Sequence, residues 1–167
     1  MPRLRRAVIF VAIFLSSAGF DQGSKEWARQ TLPAHAAKPV IDGYWDWQLE
    51  QNPGAAFSTF VGGTAAPIVL GVIAAIALVG LGLAAARTRP EQRRQRAGDA
   101  LTAGGALGNL IDRVRFGAVT DFVRWHVHEH MWPVFNVADA VLLIGVGLLV
   151  IDRLLDRTKA RPRPTPA

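Results

Sequence analysis

The sequence contains no cysteine, which excludes disulfide bonds, thiolate nucleophiles and metal sites with cysteine ligands. It also contains no GxSxG or GxGD sequence, so two known catalytic signatures are missing. Ser24 and Lys25 are neighbours, but adjacent residues on a helix point about 100° apart and do not converge as a serine–lysine pair. Carboxylates and histidines remain as the side chains that could carry acid–base chemistry.

Charged residues are few, with 19% of the chain charged and 50% hydrophobic. The net charge is +6, and most basic residues form three clusters that separate apolar runs. A nucleic-acid-binding surface would need these residues on one folded face, whereas this arrangement is typical of the cytoplasmic loops of a membrane protein. We therefore expect an integral membrane protein that binds no nucleic acid. The clusters are Arg3, Arg5 and Arg6; Arg87, Arg89, Arg93, Arg94 and Arg96; and Arg153, Arg157, Lys159, Arg161 and Arg163.

Four segments are predicted to form helices that cross the membrane, at about 7–27, 64–86, 98–113 and 134–151. The third contains Asp99, Thr102 and Asn109, and its GGALG sequence at 104–108 favours close helix packing over contact with lipid. We therefore expect a single all-α membrane domain over residues 1–158, followed by a disordered proline-rich tail at 159–167.

The first of these segments has two interpretations. Its apolar run, residues 7–20, has only fourteen residues and ends in small residues that resemble the cleavage region of a signal peptide. Alternatively, the helix continues past Asp21 to Trp27 at the far interface and forms a full span. With four spans, both termini and the basic loop at 87–96 lie in the cytoplasm, and 28–63 and 114–133 are external.

The first external connection contains the sequence WDWQLE at 45–50, in which apolar and polar residues alternate. This pattern stops at the turn sequence Asn52, Pro53 and Gly54, and it predicts a short β-strand at the membrane surface. Asn52 has a simple structural explanation, because asparagine before proline is common in turns. Trp125 and Trp132 in the second external connection are also expected at the interface.

Two polar residues lie inside the last predicted span. Asp139 is about five residues into the helix, and Asn136 lies one turn before it on the same face. An ionisable residue in a span costs roughly 3 kcal/mol on insertion scales, so it needs a partner, water or a function. One interpretation is a polar clasp to a neighbouring helix with Asp139 protonated, and the other is a functional site.

Further polar residues at the outer ends of the spans favour a shared site. Asn109 and Arg113 lie one helical turn apart, and Asp121 follows within GAVTDFV between apolar neighbours. The structural alternatives are an Arg–carboxylate tether for Arg113 and a capping turn aspartate for Asp121. Asp21 and Lys25 are also one turn apart, and an exposed ion pair is the simpler interpretation of these two residues.

Two aspartates that share one site can act as an acid–base pair. Charge repulsion and burial raise the pKa of one carboxyl, so that one stays protonated while the other accepts a proton. Water activated by such a pair can attack an amide carbonyl, which is the chemistry of aspartic peptidases. Asp121 and Asp139 are the candidates for this pair.

Three alternating histidines, His126, His128 and His130, could share one face of a strand and bind a metal. A solvated segment at the interface is the favoured interpretation, because Glu129 would point to the opposite face and no other acidic ligand accompanies them at a suitable spacing. We therefore expect neither a metal nor another cofactor.

Four sequence blocks together resemble the lipoprotein signal peptidases of bacteria, the signal peptidase II family. They occur in the order and spacing of that family across most of the chain. The resemblance implies an aspartic endopeptidase of the bacterial inner membrane. Such an enzyme removes the signal peptide from a prolipoprotein by cutting before a cysteine that already carries diacylglycerol. The blocks are DQGSK at 21–25, QNPGAAFS at 51–58, GGALGNLIDRVRFGAVTDFV at 104–123 and WPVFNVADA at 132–140.

The resemblance also implies roles for individual residues. Asp121 and Asp139 match the catalytic pair of the family. Four other residues are implied to line the site and contact substrate or the inhibitor globomycin, and three to support it; these are Asn52, Asn109, Arg113 and Asn136, and Asp21, Lys25 and Gly54. The implied fold has four transmembrane helices, a small external β-rich cradle within 28–63 and an external helix or loop within 114–133.

The implied partners are a diacylated prolipoprotein, membrane lipid and globomycin-like inhibitors, and the expected state is a monomer with its active site near the outer face. The resemblance disfavours cleavage of the first segment, because the DQGSK block belongs to the mature protein in this family. It implies no role for His126, His128 and His130.

Two other functions remain open from the residues alone. A small proton- or ion-coupled carrier could use Asp121, Asp139 and Arg113 as a relay, although Asp99 and Thr102 are nearly the only polar residues on the inner side. A membrane scaffold without enzymatic activity predicts that Asp121→Asn and Asp139→Asn are harmless or stabilising.

Overall fold

A computed structural model describes residues 3–34, 36–54, 65–89 and 92–159. Within these ranges the chain forms four helices and one four-stranded antiparallel sheet with the order β1-β2-β3-β4. The helices are α1 (Arg3–Thr31), α2 (Ala66–Arg87), α3 (Arg93–Phe116) and α4 (Val137–Lys159). The strands are β1 (Ala37–Ile41), β2 (Trp45–Asn52), β3 (Val119–Val127) and β4 (His130–Met131).

Among the described residues, α1 and α2 are long and apolar enough to cross a membrane. In α2 Ala66 is the one buried residue, and several large side chains are exposed, including Ile68, Ile76 and Val79, which are 64–69% exposed. Such a surface is expected to contact lipid. Helix α3 covers the predicted span at 98–113, whereas α4 begins at Val137, three residues after the predicted start of the span at 134–151. Neither α3 nor α4 meets the same measure of length and apolar composition. That all four helices cross the membrane stays a prediction.

Helix α3 is central and packs against α1, α2 and α4. Its glycines permit the closest approaches. A Cβ added at Gly104 would lie 2.9 Å from the Phe14 carbonyl oxygen of α1, and one at Gly105 would lie 2.5 Å from the Ala138 carbonyl oxygen of α4. No side chain fits at these separations, which confirms the prediction that the GGALG sequence mediates close helix packing.

The sheet is built from the two segments at 28–63 and 114–133 that were predicted to be external. The strand predicted at 45–50 is confirmed and continues to Asn52, and the register of β2 with β3 pairs Glu50 with Asp121. The prediction of a helix or loop in 114–133 is wrong for most of that segment, because α3 ends at Phe116 and β3 and β4 follow. The β-branched and aromatic residues of VTDFVRWHV favour a strand, and pairing with β2 stabilises it.

Aromatic residues hold the sheet over the end of α1. The Trp27 ring lies 5.2 Å from the Trp47 ring and 6.2 Å from the Phe122 ring, both nearly edge to face. Phe122 is buried with Ala28 and Leu32 of the α1 end. This packing fixes the position of β3, which carries Asp121.

The three histidines do not share one face of a strand. His126 lies in β3, His128 lies in the following turn with a φ of 52°, and His130 lies in β4. The Nε2 atom of His126 is 3.1 Å from an Asp46 carboxylate oxygen. Within the described ranges, no group of three His, Asp or Glu side chains is arranged to hold a metal ion.

Candidate active site

Asp121 and Asp139 come from different elements and meet in one polar cluster. Asp121 lies on β3, and Asp139 lies in the first turn of α4. Two backbone hydrogen bonds between Val123 and Phe135, with N–O distances of 2.9 and 3.0 Å, hold the segment before α4 against β3. This pairing brings the start of α4 next to Asp121. Asp121 is therefore a strand residue, not the capping turn aspartate that was the structural alternative.

Asn136 contacts both aspartates. It is fully buried, and its Nδ2 donates to Asp121 Oδ1 at 2.6 Å. Its backbone N–H donates to Asp139 Oδ2 at 3.2 Å, and its Oδ1 accepts the backbone N–H of Asp139 at 3.1 Å. The last two bonds form a reciprocal capping box at the start of α4. One residue thus begins the helix and connects the two carboxyl groups.

Two further asparagines bind the other carboxylate oxygens. Asn52 Nδ2 donates to Asp121 Oδ2 at 3.0 Å, and Asn109 Nδ2 donates to Asp139 Oδ1 at 2.9 Å. Asn52 Oδ1 also accepts the backbone N–H of Gly54 at 2.8 Å, so its predicted turn chemistry is present together with a contact to Asp121. Gly54 has a φ of 96°, a conformation that favours glycine.

Burial raises the pKa of Asp121 to about 6. The side chain is almost inaccessible to solvent, and loss of hydration disfavours the charged form. The hydrogen bond from Asn52 lowers this pKa, and the nearby charge of Asp139 raises it. A carboxyl with such a pKa can hold a proton near neutral pH, which general acid catalysis requires.

A buried ionic cluster lies next to the pair. Lys25 and Asp21 of α1 and Asp112 of α3 are all fully buried. The Lys25 Nζ atom is 2.9 Å from Asp21 Oδ2 and 3.5 Å from Asp112 Oδ2. The prediction of an exposed Asp21–Lys25 pair is therefore wrong. Helix α3 has only a glycine, Gly108, at the point where it faces Asp21, so the two helices close over the pair.

The two carboxylates of this cluster hold the backbone beside the candidate catalytic residues. Asp21 Oδ1 accepts the N–H of Ala138, and Asp112 Oδ2 accepts the N–H of Thr120, both at 2.8 Å. Ala138 and Thr120 each directly precede one of the paired aspartates. The cluster therefore positions both segments that carry the pair.

Lys25 also orients Asn109. The Nζ atom donates to Asn109 Oδ1 at 2.9 Å, and Asn136 Nδ2 donates to the same oxygen at 3.2 Å. With its oxygen held by two donors, the Asn109 amide must present its Nδ2 to Asp139. Lys25 thus acts on Asp139 through Asn109 and not by direct contact.

The sequence interpretation assigned no role to Asp112, Gln22 or Arg29. Gln22 Nε2 donates to Asp112 Oδ1 at 3.1 Å, and the Nη1 atom of Arg29 is 3.7 Å from that same oxygen. The sequence does indicate Arg29, because Asp21, Lys25 and Arg29 follow one another at i, i+4 and i+8 and therefore share one face of a helix.

Arg113 is half-buried beside the aspartates. Its Nη1 donates to the Asn109 backbone carbonyl at 3.3 Å, and its buried Nε has no hydrogen-bond partner in the described chain. The Arg–carboxylate tether proposed as its structural alternative is not found among the described residues. No described residue therefore competes for the Nε of Arg113.

An apolar cavity of about 600 Å³ lies between α2 and α3 and reaches Arg113. Most of its wall is hydrophobic, and its outer side is formed by the exposed face of α2. The lining includes Pro53, Pro67, Ile68, Val72, Leu110 and Arg113. The polar site therefore adjoins a space suited to an apolar group.

Comparisons with known proteins agree with one another. A family model described as signal peptidase (SPase) II matches residues 13–155. The chain is 39% identical over 158 residues to a lipoprotein signal peptidase of Xanthomonas campestris pv. campestris (strain 8004), covering 93% of both chains. It is 36% identical over 152 residues to a lipoprotein signal peptidase of Xylella fastidiosa (strain 9a5c), covering 89% of this chain and 91% of that relative.

Two solved structures, both described as bacterial membrane enzymes determined by the in meso method, share the fold. One, at 2.3 Å resolution, has a TM-score of 0.81 at 28% identity and covers 95% of this chain and 94% of its own. The other, at 1.9 Å resolution, has a TM-score of 0.79 at 29% identity and covers 87% of this chain and 92% of its own.

Proposed function

The chain belongs to the signal peptidase II family of membrane peptidases, and on this premise we propose that Asp121 and Asp139 form its aspartic catalytic pair. The substrate is a prolipoprotein whose cysteine carries diacylglycerol, and the cut removes the signal peptide before that cysteine. The observation that carries the proposal is that Asn136 hydrogen-bonds both carboxyl groups. Family membership does not favour the carrier or the scaffold alternative.

In this mechanism Asp121 holds the proton and Asp139 is the base. Asp139 takes a proton from water as the water oxygen attacks the scissile carbonyl carbon. Asp121 hydrogen-bonds the developing oxyanion and then delivers its proton to the leaving nitrogen. The assignment is supported by the burial that raises the pKa of Asp121 to about 6 and by the backbone N–H that donates to Asp139.

Substrate contacts are assigned to the polar residues around the pair. Asn52, Asn109 and Asn136 hold the carboxyl groups in position, and preorganised donors of this kind lower the cost of reaching the transition state. The Nε of Arg113, which has no hydrogen-bond partner among the described residues, donates to a substrate carbonyl. The acyl chains of the modified cysteine occupy the apolar cavity between α2 and α3, which begins beside Arg113. Globomycin-like inhibitors bind the same residues.

The enzyme acts as a monomer in the bacterial inner membrane with both termini in the cytoplasm. Support for this orientation comes from the basic residues where α1 begins, where α2 ends and where α3 begins. The catalytic pair then lies at the outer face, where a membrane-bound substrate presents its modified cysteine.

The test is cleavage of a diacylated prolipoprotein by purified Asp121→Asn and Asp139→Asn variants. Each change removes a group that must gain or lose a proton, so cleavage should fall by at least about 10³-fold. Asp42→Asn is the matched control, because Asp42 is exposed in the turn between β1 and β2, and its rate should stay within about twofold. Undiminished cleavage by both active-site variants, with each still folded by circular dichroism, would rule out the pair.

A further inference from the structure

A second cavity, of about 350 Å³, lies between the first turns of α1 and the last turns of α2. Three arginines, Arg3, Arg6 and Arg96, line it, and we call it the arginine cavity. Apolar or small residues form most of the remaining described wall, including Phe10, Val11 and Gly82, and none of the described lining residues is a carboxylate. It therefore combines concentrated positive charge with an apolar surface.

The arginine cavity is remote from the catalytic pair. Arg6 lies fifteen positions before Asp21 on the same helix, which corresponds to roughly 22 Å along the helix axis. None of the residues that line the cavity contacts Asp121 or Asp139 within the described ranges. The peptidase mechanism gives this cavity no role.

The three arginines have no acidic partner among the described residues. None forms an ion pair in the described part of the chain. Arg96 is 5% exposed, and its Nη2 donates to the Arg89 backbone carbonyl at 3.0 Å. The Nε of Arg6 is buried and has no hydrogen-bond partner among the described residues. A buried hydrogen-bond donor without an acceptor is energetically unfavourable. Because three guanidinium groups surround this donor, an anionic acceptor is the one that the site favours.

The position of the cavity identifies the source of that anion. Helices α1 and α2 are the ones that are long and apolar enough to cross a membrane, and the cavity lies where α1 begins and α2 ends. Basic pockets between transmembrane helices bind anionic lipid head groups. Guanidinium groups match the oxygens of a phosphate, and the apolar wall suits the adjoining glycerol and acyl carbons.

We propose that the arginine cavity binds the phosphodiester of an anionic phospholipid, held by Arg3, Arg6 and Arg96. Free phosphate offers the same oxygens but nothing to fill the apolar wall. A lipid is therefore the ligand that satisfies both parts of the cavity.

Native mass spectrometry of the full-length protein, released from nanodiscs of phosphatidylcholine with and without phosphatidylglycerol, measures lipid affinity. The wild type should bind phosphatidylglycerol more tightly than phosphatidylcholine, and Arg6→Gln should weaken that binding about fivefold. Arg5→Gln is the matched control, since Arg5 is exposed, adjacent in sequence and outside the cavity, and its affinity should stay within about twofold. If both variants weakened phosphatidylglycerol binding equally, the effect would come from general surface charge, and this result would contradict the proposed binding site.

Gly82→Leu tests the cavity without changing any charge. Gly82 lines the cavity, and a Cβ added there would meet no atom within 4 Å, so the leucine side chain has room to enter. This variant should also lose preference for phosphatidylglycerol, and retained affinity would contradict the proposal. Inorganic phosphate and glycerol phosphate are the competing ligands. If either competitor displaced phosphatidylglycerol at comparable concentration, the cavity would be a site for free phosphate, and this result would contradict the assignment of a lipid ligand.

Discussion

Asn136 combines two tasks that usually fall to different residues. As the cap of α4 it needs a side-chain acceptor, and as the partner of Asp121 it needs a side-chain donor. Aspartate would keep the acceptor but add a third carboxylate beside the pair, and serine is too short to reach both groups. Among the capping residues, asparagine is the one whose amide supplies both functions.

Asp121→Asn should change how stability depends on pH. Burial raises the pKa of Asp121 from 3.8 to about 6, so the folded protein holds a proton that the unfolded chain has released between these values. Wild-type stability therefore falls by about 3 kcal/mol as pH rises from about 4 through 6, and the asparagine variant lacks this loss.

The measurement is the thermal unfolding midpoint of both proteins in detergent at about pH 4.5 and 7.5. The variant should gain stability relative to the wild type as the pH rises. A difference in midpoint that is the same at both pH values would contradict the raised pKa of Asp121.

At the scale of elements, Lys25 connects α1 with the rest of the site. Its two carboxylate partners bind the backbone at the start of α4 and in β3, and its Nζ binds Asn109 of α3. Arg29 adds a second cation, with Nη1 2.9 Å from Thr120 Oγ1 and 3.7 Å from Asp112 Oδ1. Two cations thus balance two buried carboxylates, and the contacts of this cluster join α1 to α3, α4 and β3.

Lys25→Met should lower both stability and cleavage. Removal of the buried cation leaves two buried carboxylates with Arg29 as the remaining nearby cation, which should reduce the free energy of unfolding by about 3–5 kcal/mol. Adding Asp112→Asn should restore part of this loss, because the amide oxygen can still accept the Thr120 N–H without a charge. Thermal unfolding midpoints of the single and double variants measure the effect.

Lys38→Met is the control, because Lys38 is exposed on β1 and should change the midpoint little. A double variant less stable than Lys25→Met alone would show that the charges of Lys25 and Asp112 are not coupled. Cleavage should stay low in both Lys25 variants, since Asn109 loses the donor that orients its amide.

The helices and β2 could be predicted because length, apolar runs and alternation are local properties of the sequence. The contacts within the candidate site could not be predicted, because they depend on the register between strands and on the separation between helices. The Asn52–Asp121 hydrogen bond joins residues 69 positions apart through the pairing of β2 with β3. The burial of Lys25 depends on how closely α1 and α3 approach at Gly108. β3 was not predicted, because the family resemblance implied a helix or loop in that segment.

At the scale of the whole molecule, the two sites lie at opposite ends of α1. The aspartate pair adjoins the C-terminal part of that helix and the sheet, and the arginine cavity adjoins its first turn. The two ends also differ in charge, since arginines line the cavity, whereas carboxylates and cations balance one another around the pair. This polarity supports one orientation in the membrane, with the sheet and the catalytic pair outside.

Labelling of single cysteines should reveal this orientation, because the chain has no cysteine of its own and gives no background. Asp42→Cys, in the exposed turn between β1 and β2, should react with a membrane-impermeant maleimide in intact spheroplasts. Arg93→Cys, exposed at the start of α3, should react only after permeabilisation, because positive loops are retained in the cytoplasm. Reaction of both cysteines in intact spheroplasts, or of Arg93→Cys alone, would contradict the orientation and would move the catalytic pair away from the outer face.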